Sequence, residues 1–226
     1  MTLASKFFTQ DERKAITSAV AEAERRTSGE IIPVIATVSG RYDRAEDLFG
    51  VVVALLLLAL SWIFFQDIRP FETNWSSGLA LGLGLISVLV IAAWGFIVGT
   101  IVATYLPILR RPFLTKQEMR QEVERNSAAA FQRFRVHRTR ANTGVLIYVS
   151  LYERMVQVLG DDAINKRLNQ SDWDAVRDLV IKGFRAHRPA EGLSRAILKC
   201  GEILSQYFPV PPSDVNQASN ELRILD

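Results

Sequence analysis

The chain has 226 residues, 49% of them hydrophobic, enough for one modest globular domain plus a membrane element. The single cysteine, Cys200, excludes an intramolecular disulfide and a cysteine zinc site, in keeping with a reducing cytoplasm. The formal net charge of +3 is a small excess gathered beside the apolar stretches, which fits anionic lipid headgroups better than a nucleic-acid groove, and no nucleic-acid partner is expected.

The opening MTLASKFFTQDERK holds no apolar core long enough for a signal peptide. Thr9 begins a helix, because Thr9 and Glu12 stand at the spacing of a capping box. Ala15, Ile16, Ala19, Val20 and Ala23 then form an apolar stripe at helical period, and Gly29 ends it. Residues 30–38, EIIPVIATV, read as a strand, rich in branched side chains and apolar enough to be buried. Pro33 lacks a ladder donor, so this strand is expected at an edge or with a bulge. Ser39-Gly40 is a turn, and residues 41–47 rise as a helix into a long apolar run.

Residues 48–109 are the organising stretch. Residues 48–65 carry no charge and would form a helix about 27 Å long, close to the thickness of a hydrocarbon core. A second uncharged run, residues 73–109, predicts one tilted span near 78–103. Arg41 and Arg44 precede the pair, and Arg110, Arg111, Lys116 and Arg120 come after it. The positive-inside rule therefore predicts a multi-pass inner-membrane protein with both ends cytoplasmic and the short link outside. Trp62, Trp75 and Tyr105 lie near the span ends, whereas Trp94 lies inside and should pack on the first helix or face lipid. Gly78-x-x-x-Gly82 and Gly95-x-x-x-Gly99 have the spacing of close helix contacts, either within the hairpin or in a homodimer. Neither span holds an ionisable residue, which argues against a transporter or channel.

Beyond the spans, Thr115 and Glu118 repeat the capping-box pattern, and Met119, Val123, Ala128, Phe131 and Phe134 predict a helix to about Arg135. Residues 144–150, GVLIYVS, should be a central strand, and residues 155–159 a strand folding back beside it. Asp161 or Asp162 caps a short helix through Leu168. Asp172 is the candidate cap of the next helix, striped by Trp173, Val176, Val180 and Phe184. The last helix starts at Pro189 and turns Leu193, Ile197, Leu204 and Tyr207 inward. Residues 209–226 read as a polar, Pro-rich, disordered tail. The two polar pieces, residues 1–47 and 110–208, are too small to bury separate cores, so they should fold together as one sheet covered by helices. Two crossings return the chain to its starting side, which that union requires.

At this point the chain resembles the TPM-domain family. The resemblance rests on FFTQDERKAITSAVAEAERRTSGEIIPVIA, on RTRANTGVLIYVSLYERMVQVLGD and on DWDAVRDLV with FRAHRPAEGLSRAILKCGEIL. It is sharpest at Thr27-Ser28-Gly29-Glu30 and at Asn142-Thr143-Gly144-Val145-Leu146. The resemblance implies a three-layer α/β/α sandwich of Rossmann-like layering, here interrupted by a two-helix transmembrane hairpin. It also implies weak acid phosphatase activity or help in maintaining membrane protein complexes. Other members hold the domain outside the cytoplasm behind a signal peptide, an arrangement this chain departs from.

Ligands of open α/β sheets sit beyond the carboxyl ends of parallel strands. If the first two strands are parallel, Ser39, Arg41, Tyr42, Asp43, Tyr152, Glu153 and Arg154 gather there. Asp43 and Glu153 would then be oxygen ligands for a divalent cation or neighbours of a phosphate. Asp161-Asp162 is better explained as a helix cap than as a cation site, and His137 and His187 lack ligand spacing. No nucleophile elbow, phosphate-loop lysine motif or dinucleotide glycine motif stands after a strand. Arg110, Arg111, Arg133, Arg135, Arg138 and Arg140 form a basic set suited to a lipid surface. The reading is a membrane-tethered, non-catalytic module that binds membrane proteins or lipid headgroups; the alternative is a weak metal-assisted acid phosphatase.

Overall fold

A computed structural model describes residues 3–65, 84–136, 143–210 and 219–226. The chain divides into two compact units, one formed by residues 1–40 with 117–226 and the other by residues 41–116.

The first unit is an α/β domain. A single 3-10 turn, Ala4–Lys6, precedes α1 (Gln10–Glu24). Thr9 and Glu12 close the expected capping box: the Glu12 N–H donates to the Thr9 hydroxyl and the Thr9 N–H to the Glu12 carboxylate at 2.8 Å. Strand β1 (Glu30–Ala36) pairs in parallel with β2 (Gly144–Ser150), Glu30 opposite Gly144 and Ala36 opposite Ser150. Strand β3 (Met155–Gly160) folds back antiparallel to β2, as expected. Helices α4 (Lys116–Arg133), α5 (Asp162–Asn165), α6 (Gln170–Arg185) and α7 (Pro189–Tyr207) complete the helical part. Asp161 is the cap of α5. Asp172 is not the cap of α6; it lies three residues inside and its carboxylate accepts from the Asn169 N–H.

Residues 223–225 depart from the expected tail. Arg223–Leu225 form a fourth strand, β4, parallel to β1, so the sheet order is β3-β2-β1-β4. Pro33 explains why β4 stops where it does. The Thr37 N–H donates to the Leu225 carbonyl, so alternate positions of β1 aim their nitrogens at β4. Pro33 is on that side, just before the three paired residues Val34, Ile35 and Ala36. The first half of β1 is thus an edge, where a missing donor costs nothing.

Alternation along the strands makes two cores. Ile31, Ile35, Val145, Ile147 and Val149 face α1, α6 and α7. Ile32, Val34, Ala36, Leu146 and Tyr148 face α4. This is the expected three-layer α/β/α arrangement. The buried line of α4 runs through Val123, Ser127 and Ala130, and Ala128 is exposed. Tyr207, expected inward, is also exposed, one turn past Leu204 at the end of α7.

The second unit is a helical pair, α2 (Asp43–Phe65) and α3 (Leu85–Tyr105). Both are long and apolar enough to cross a membrane, with mean hydropathies of 2.4 and 2.5. Their seam is made of small residues. A Cβ on Gly95 would come within 2.7 Å of Ala54 Cα, and one on Gly99 within 2.8 Å of Gly50 Cα. The Gly95/Gly99 spacing is therefore used between α2 and α3. Gly78, Gly82 and Trp75 lie outside the described residues. Large apolar side chains point away from the seam: Ile86 is 79% exposed and Trp94 65%. Trp94 thus takes the outward of its two expected positions. Below the seam, Arg110 pairs with Glu46, and the Thr104 hydroxyl donates to the same carboxylate at 2.8 Å.

Candidate functional site

The parallel register brings the ends of β1 and β2 together, because Ala36 stands opposite Ser150. Two further backbone bonds extend the pairing: Leu151 N–H to the Ala36 carbonyl at 2.9 Å and Tyr152 N–H to the Thr37 carbonyl at 3.1 Å. The chain then reverses through Arg154, whose φ of 56° is left-handed, and enters β3. That reversal returns Glu153 toward the strand ends.

Glu153 accepts from the Ser39 N–H at 2.9 Å through one oxygen and from the Ser150 hydroxyl through the other. The Ser39 hydroxyl donates to Ser150 Oγ at 2.9 Å and lies 3.1 Å from the Tyr148 hydroxyl. Proton counting orders the chain. Ser150 gives its single proton to Glu153 and Ser39 gives its own to Ser150, so Tyr148 donates to Ser39. All four are buried, at 1% exposure for Tyr148 and Ser150, 6% for Glu153 and 7% for Ser39. Burial raises the Tyr148 phenol above its ordinary range; its bond to Ser39 opposes that shift and the Glu153 charge adds to it. Tyr148 therefore stays protonated, as the donor role requires.

Of the expected crevice residues, Ser39 and Glu153 meet directly, and Tyr152 is buried beside them in the chain. Arg154 is the exposed turn residue. Arg41, Tyr42 and Asp43 belong to the helical unit, Asp43 as the first residue of α2. Tyr148 and Ser150 do not stand out in the sequence, where they pass as members of an apolar strand. Their signal is the i, i+2 spacing, which puts both hydroxyls on one face at the carboxyl end.

Chemically this is a buried hydrogen-bonded cluster. Both Glu153 oxygens hold protein donors, and the Ser150 proton is committed to one of them. Among the described residues, no group of three or more His, Cys, Asp or Glu side chains is placed to hold a metal ion.

The basic residues divide between the units. Arg110 is engaged by Glu46, both side chains being 12% exposed, and Arg111 opens the 3-10 turn Arg111–Phe113. Arg133 ends α4 with its guanidinium 5.9 Å from the Phe134 ring centre, and Arg135 has a left-handed φ of 56°. Arg138, Arg140 and His137 lie outside the described residues. His187 closes α6, also at a φ of 56°.

Comparison with known proteins adds one family. Residues 113–203 match the TPM domain. The resemblance read from the sequence is the same one. The TPM match spans α4, β2, β3, α5, α6 and most of α7, including Tyr148, Ser150 and Glu153, and stops short of Ser39 on the amino-terminal side. Among solved structures, the chain is similar to the BA42 protein of the psychrophilic bacterium Bizionia argentinensis, determined by NMR. That likeness has a TM-score of 0.57 at 20% identity and covers 99% of each chain, which speaks for the fold alone. None of the curated proteins matches.

Proposed function

We propose that the chain is an integral inner-membrane protein. Its two apolar helices cross the bilayer as a hairpin, and both ends and the TPM-type domain lie in the cytoplasm. The domain is a non-catalytic module that holds membrane proteins or lipid headgroups, with no bound metal required. One observation carries the membrane part: the fully buried positions of α2 and α3 are all small residues, and most of their large apolar side chains turn outward. In water such a surface would be a liability; in hydrocarbon it is the solvated face. The non-catalytic part is supported by the polar cluster at the strand ends, whose nucleophiles and carboxylate are buried and mutually committed.

Topology is tested with engineered cysteines in sealed cells. Cys200 needs no removal, because it is fully buried and burial pushes its thiol up to about 12. A cysteine at Thr73 should react with a reagent confined to the outside, and one at the exposed Lys199 only after permeabilisation. The reverse pattern would invert the orientation. Cross-linking in intact membranes then identifies partners. Metal-dependent turnover of a phosphoester that is lost on Glu153→Gln, with the fold retained, would install the phosphatase reading instead.

A further inference from the structure

The sheet edge at β1 is occupied by this chain's own distal strand, and the manner of occupation defines what the edge recognises. β4 is three residues long and joins α7 through a Pro-rich link, residues 209–222. Its backbone pairs with Val34, Ile35 and Ala36, and the Leu225 carbonyl accepts from the Thr37 N–H at 2.8 Å. Its side chains alternate. Leu222 and Ile224 pack on the core of α1, α6 and α7, and Leu225 packs on the other. Arg223 sets its guanidinium 5.9 Å from the centre of the Phe134 ring. The Asp226 carboxylate closes the register by accepting from the Thr37 hydroxyl at 2.8 Å and the Ser5 N–H at 3.1 Å.

Two features mark this strand as replaceable. Its own fit is imperfect, because the buried Arg223 Nε has no hydrogen-bond partner among the described residues. And the sheet does not depend on it: β1, β2 and β3 share their ladder without it, and both cores are closed mainly by other elements. An edge that offers backbone bonds together with alternating side-chain contacts is the arrangement by which sheets capture extended segments.

We propose that the β1 edge is a docking groove for an extended segment of a partner membrane protein, of pattern apolar–basic–apolar–apolar–acidic, and that β4 is its resident competitor. This rests on the binding-module reading above and names the partner chemistry for it. The backbone of β1 supplies affinity, while Phe134 and Thr37 read the basic and acidic positions.

The test uses the full chain in detergent, with a protease site inserted between Val210 and Ser219 and cut only after purification. A labelled peptide SNELRILD should replace the severed tail. It should bind the uncut chain about tenfold or more weakly, because a tethered occupant leaves only a fraction of the edges open. In the uncut chain, Asp226→Lys should loosen the tail and raise peptide binding toward the cut level. Thr37→Val in the cut chain, or an Asp-to-Lys change in the peptide, should weaken binding. Equal binding to cut and uncut chain, or a severed tail that never exchanges, overturns the proposal. With partners captured by cross-linking in membranes, excess peptide should release them from the cut chain. Partners held equally with and without peptide would sink the groove while leaving the binding module standing, as would capture of a second copy alone. No captured partner in either form would sink both.

Discussion

The domain and the hairpin are built from the same apolar residues by opposite rules. In the domain the largest branched side chains are sealed inside: Ile16, Ile35, Leu146, Ile147, Ile197 and Leu204 have almost no exposed surface. In the hairpin the buried positions of α3 are Gly95, Gly99 and Ala103, while leucines, isoleucines and Trp94 are turned out. The domain does use small residues, but at helix crossings such as Gly201 against Ala23 in α1. There they allow approach, and the energy comes from the side chains around them. In the hairpin, the fully buried positions are small residues, with Val53, Leu57 and Phe96 bordering them. The proposed membrane location accounts for the difference: water disfavours an exposed isoleucine, whereas lipid would solvate it as well as a neighbouring helix does, leaving close backbone packing as the adhesive.

The largest expected effect separates the two rules with one kind of substitution. Ile197→Ala removes a sealed side chain and should destabilise the domain by about 2–5 kcal/mol. Ile86→Ala, on the outward face of α3, should change stability by less than about 0.5 kcal/mol. Urea unfolding in detergent, followed by near-ultraviolet circular dichroism, measures both. Equal costs would mean that the outward face of the hairpin is packed against something, and the comparison would fall.

Enlarging the seam should do the reverse. Gly99→Leu drives a side chain into Gly50 and Val53, and overpacking of this kind costs about 1–3 kcal/mol. The readout is disulfide cross-linking between cysteines placed at Val53 and Phe96, which should fall, while the unfolding midpoint of the domain stays put. Undiminished cross-linking would show that the glycine contact does not hold the pair.

Within the domain, the polar cluster sharpens the contrast between sealed apolar and sealed polar groups. Glu153→Gln leaves the shape and replaces one acceptor oxygen with a donor. The new amide opposes either the Ser39 N–H, which cannot turn, or the Ser150 hydroxyl, which can. Turning Ser150 reverses the order of protons through Ser39 to Tyr148. The expected cost is about 1–3 kcal/mol, toward the lower end of that of Ile197→Ala, because the carboxylate bonds are weakened and the reversed order takes from the buried Tyr148 proton its Ser39 acceptor. Urea unfolding measures it alongside Ile197→Ala. A cost near zero would show that the carboxylate charge is not what holds the strand ends.

Long apolar signals are the legible part of this chain. The two helices, the three main strands, the parallel β1–β2 pair and the antiparallel return of β3 can be read from runs of branched residues and the turns between them. Ser39 and Glu153 are legible from where the carboxyl ends must lie. Tyr148 and Ser150 are hidden because two hydroxyls in GVLIYVS do not disturb an apolar run. β4 is hidden for a different reason. Three residues carry no period, and the stretch before Leu222 is polar, so its place is set by an edge that exists only once β1 has folded. Pro33 shows half of that, marking an edge without showing that the other half of the strand is covered.

The smallest effect concerns that covered half. Asp226 is held below the ordinary carboxylate range by hydrogen bonds, first from the Ser5 and Thr37 side chains and then from the Ser5 backbone. A carboxyl whose docked value lies below its free value contributes to docking above the free value, near 4, and loses that contribution as pH falls through the docked one. Lowering the pH from about 5 to about 3 should therefore loosen β4 while leaving the sheet intact. Hydrogen exchange at the Thr37 amide, which donates to Leu225, should quicken before that at Leu151 and Tyr152, which bind within the β1–β2 end. Asp226→Asn should abolish the pH dependence and leave the exchange at Thr37 fast throughout. Simultaneous loss at all three amides would make β4 part of the domain's single cooperative unit, and its separability, unlike that of the sheet it borders, would be refuted.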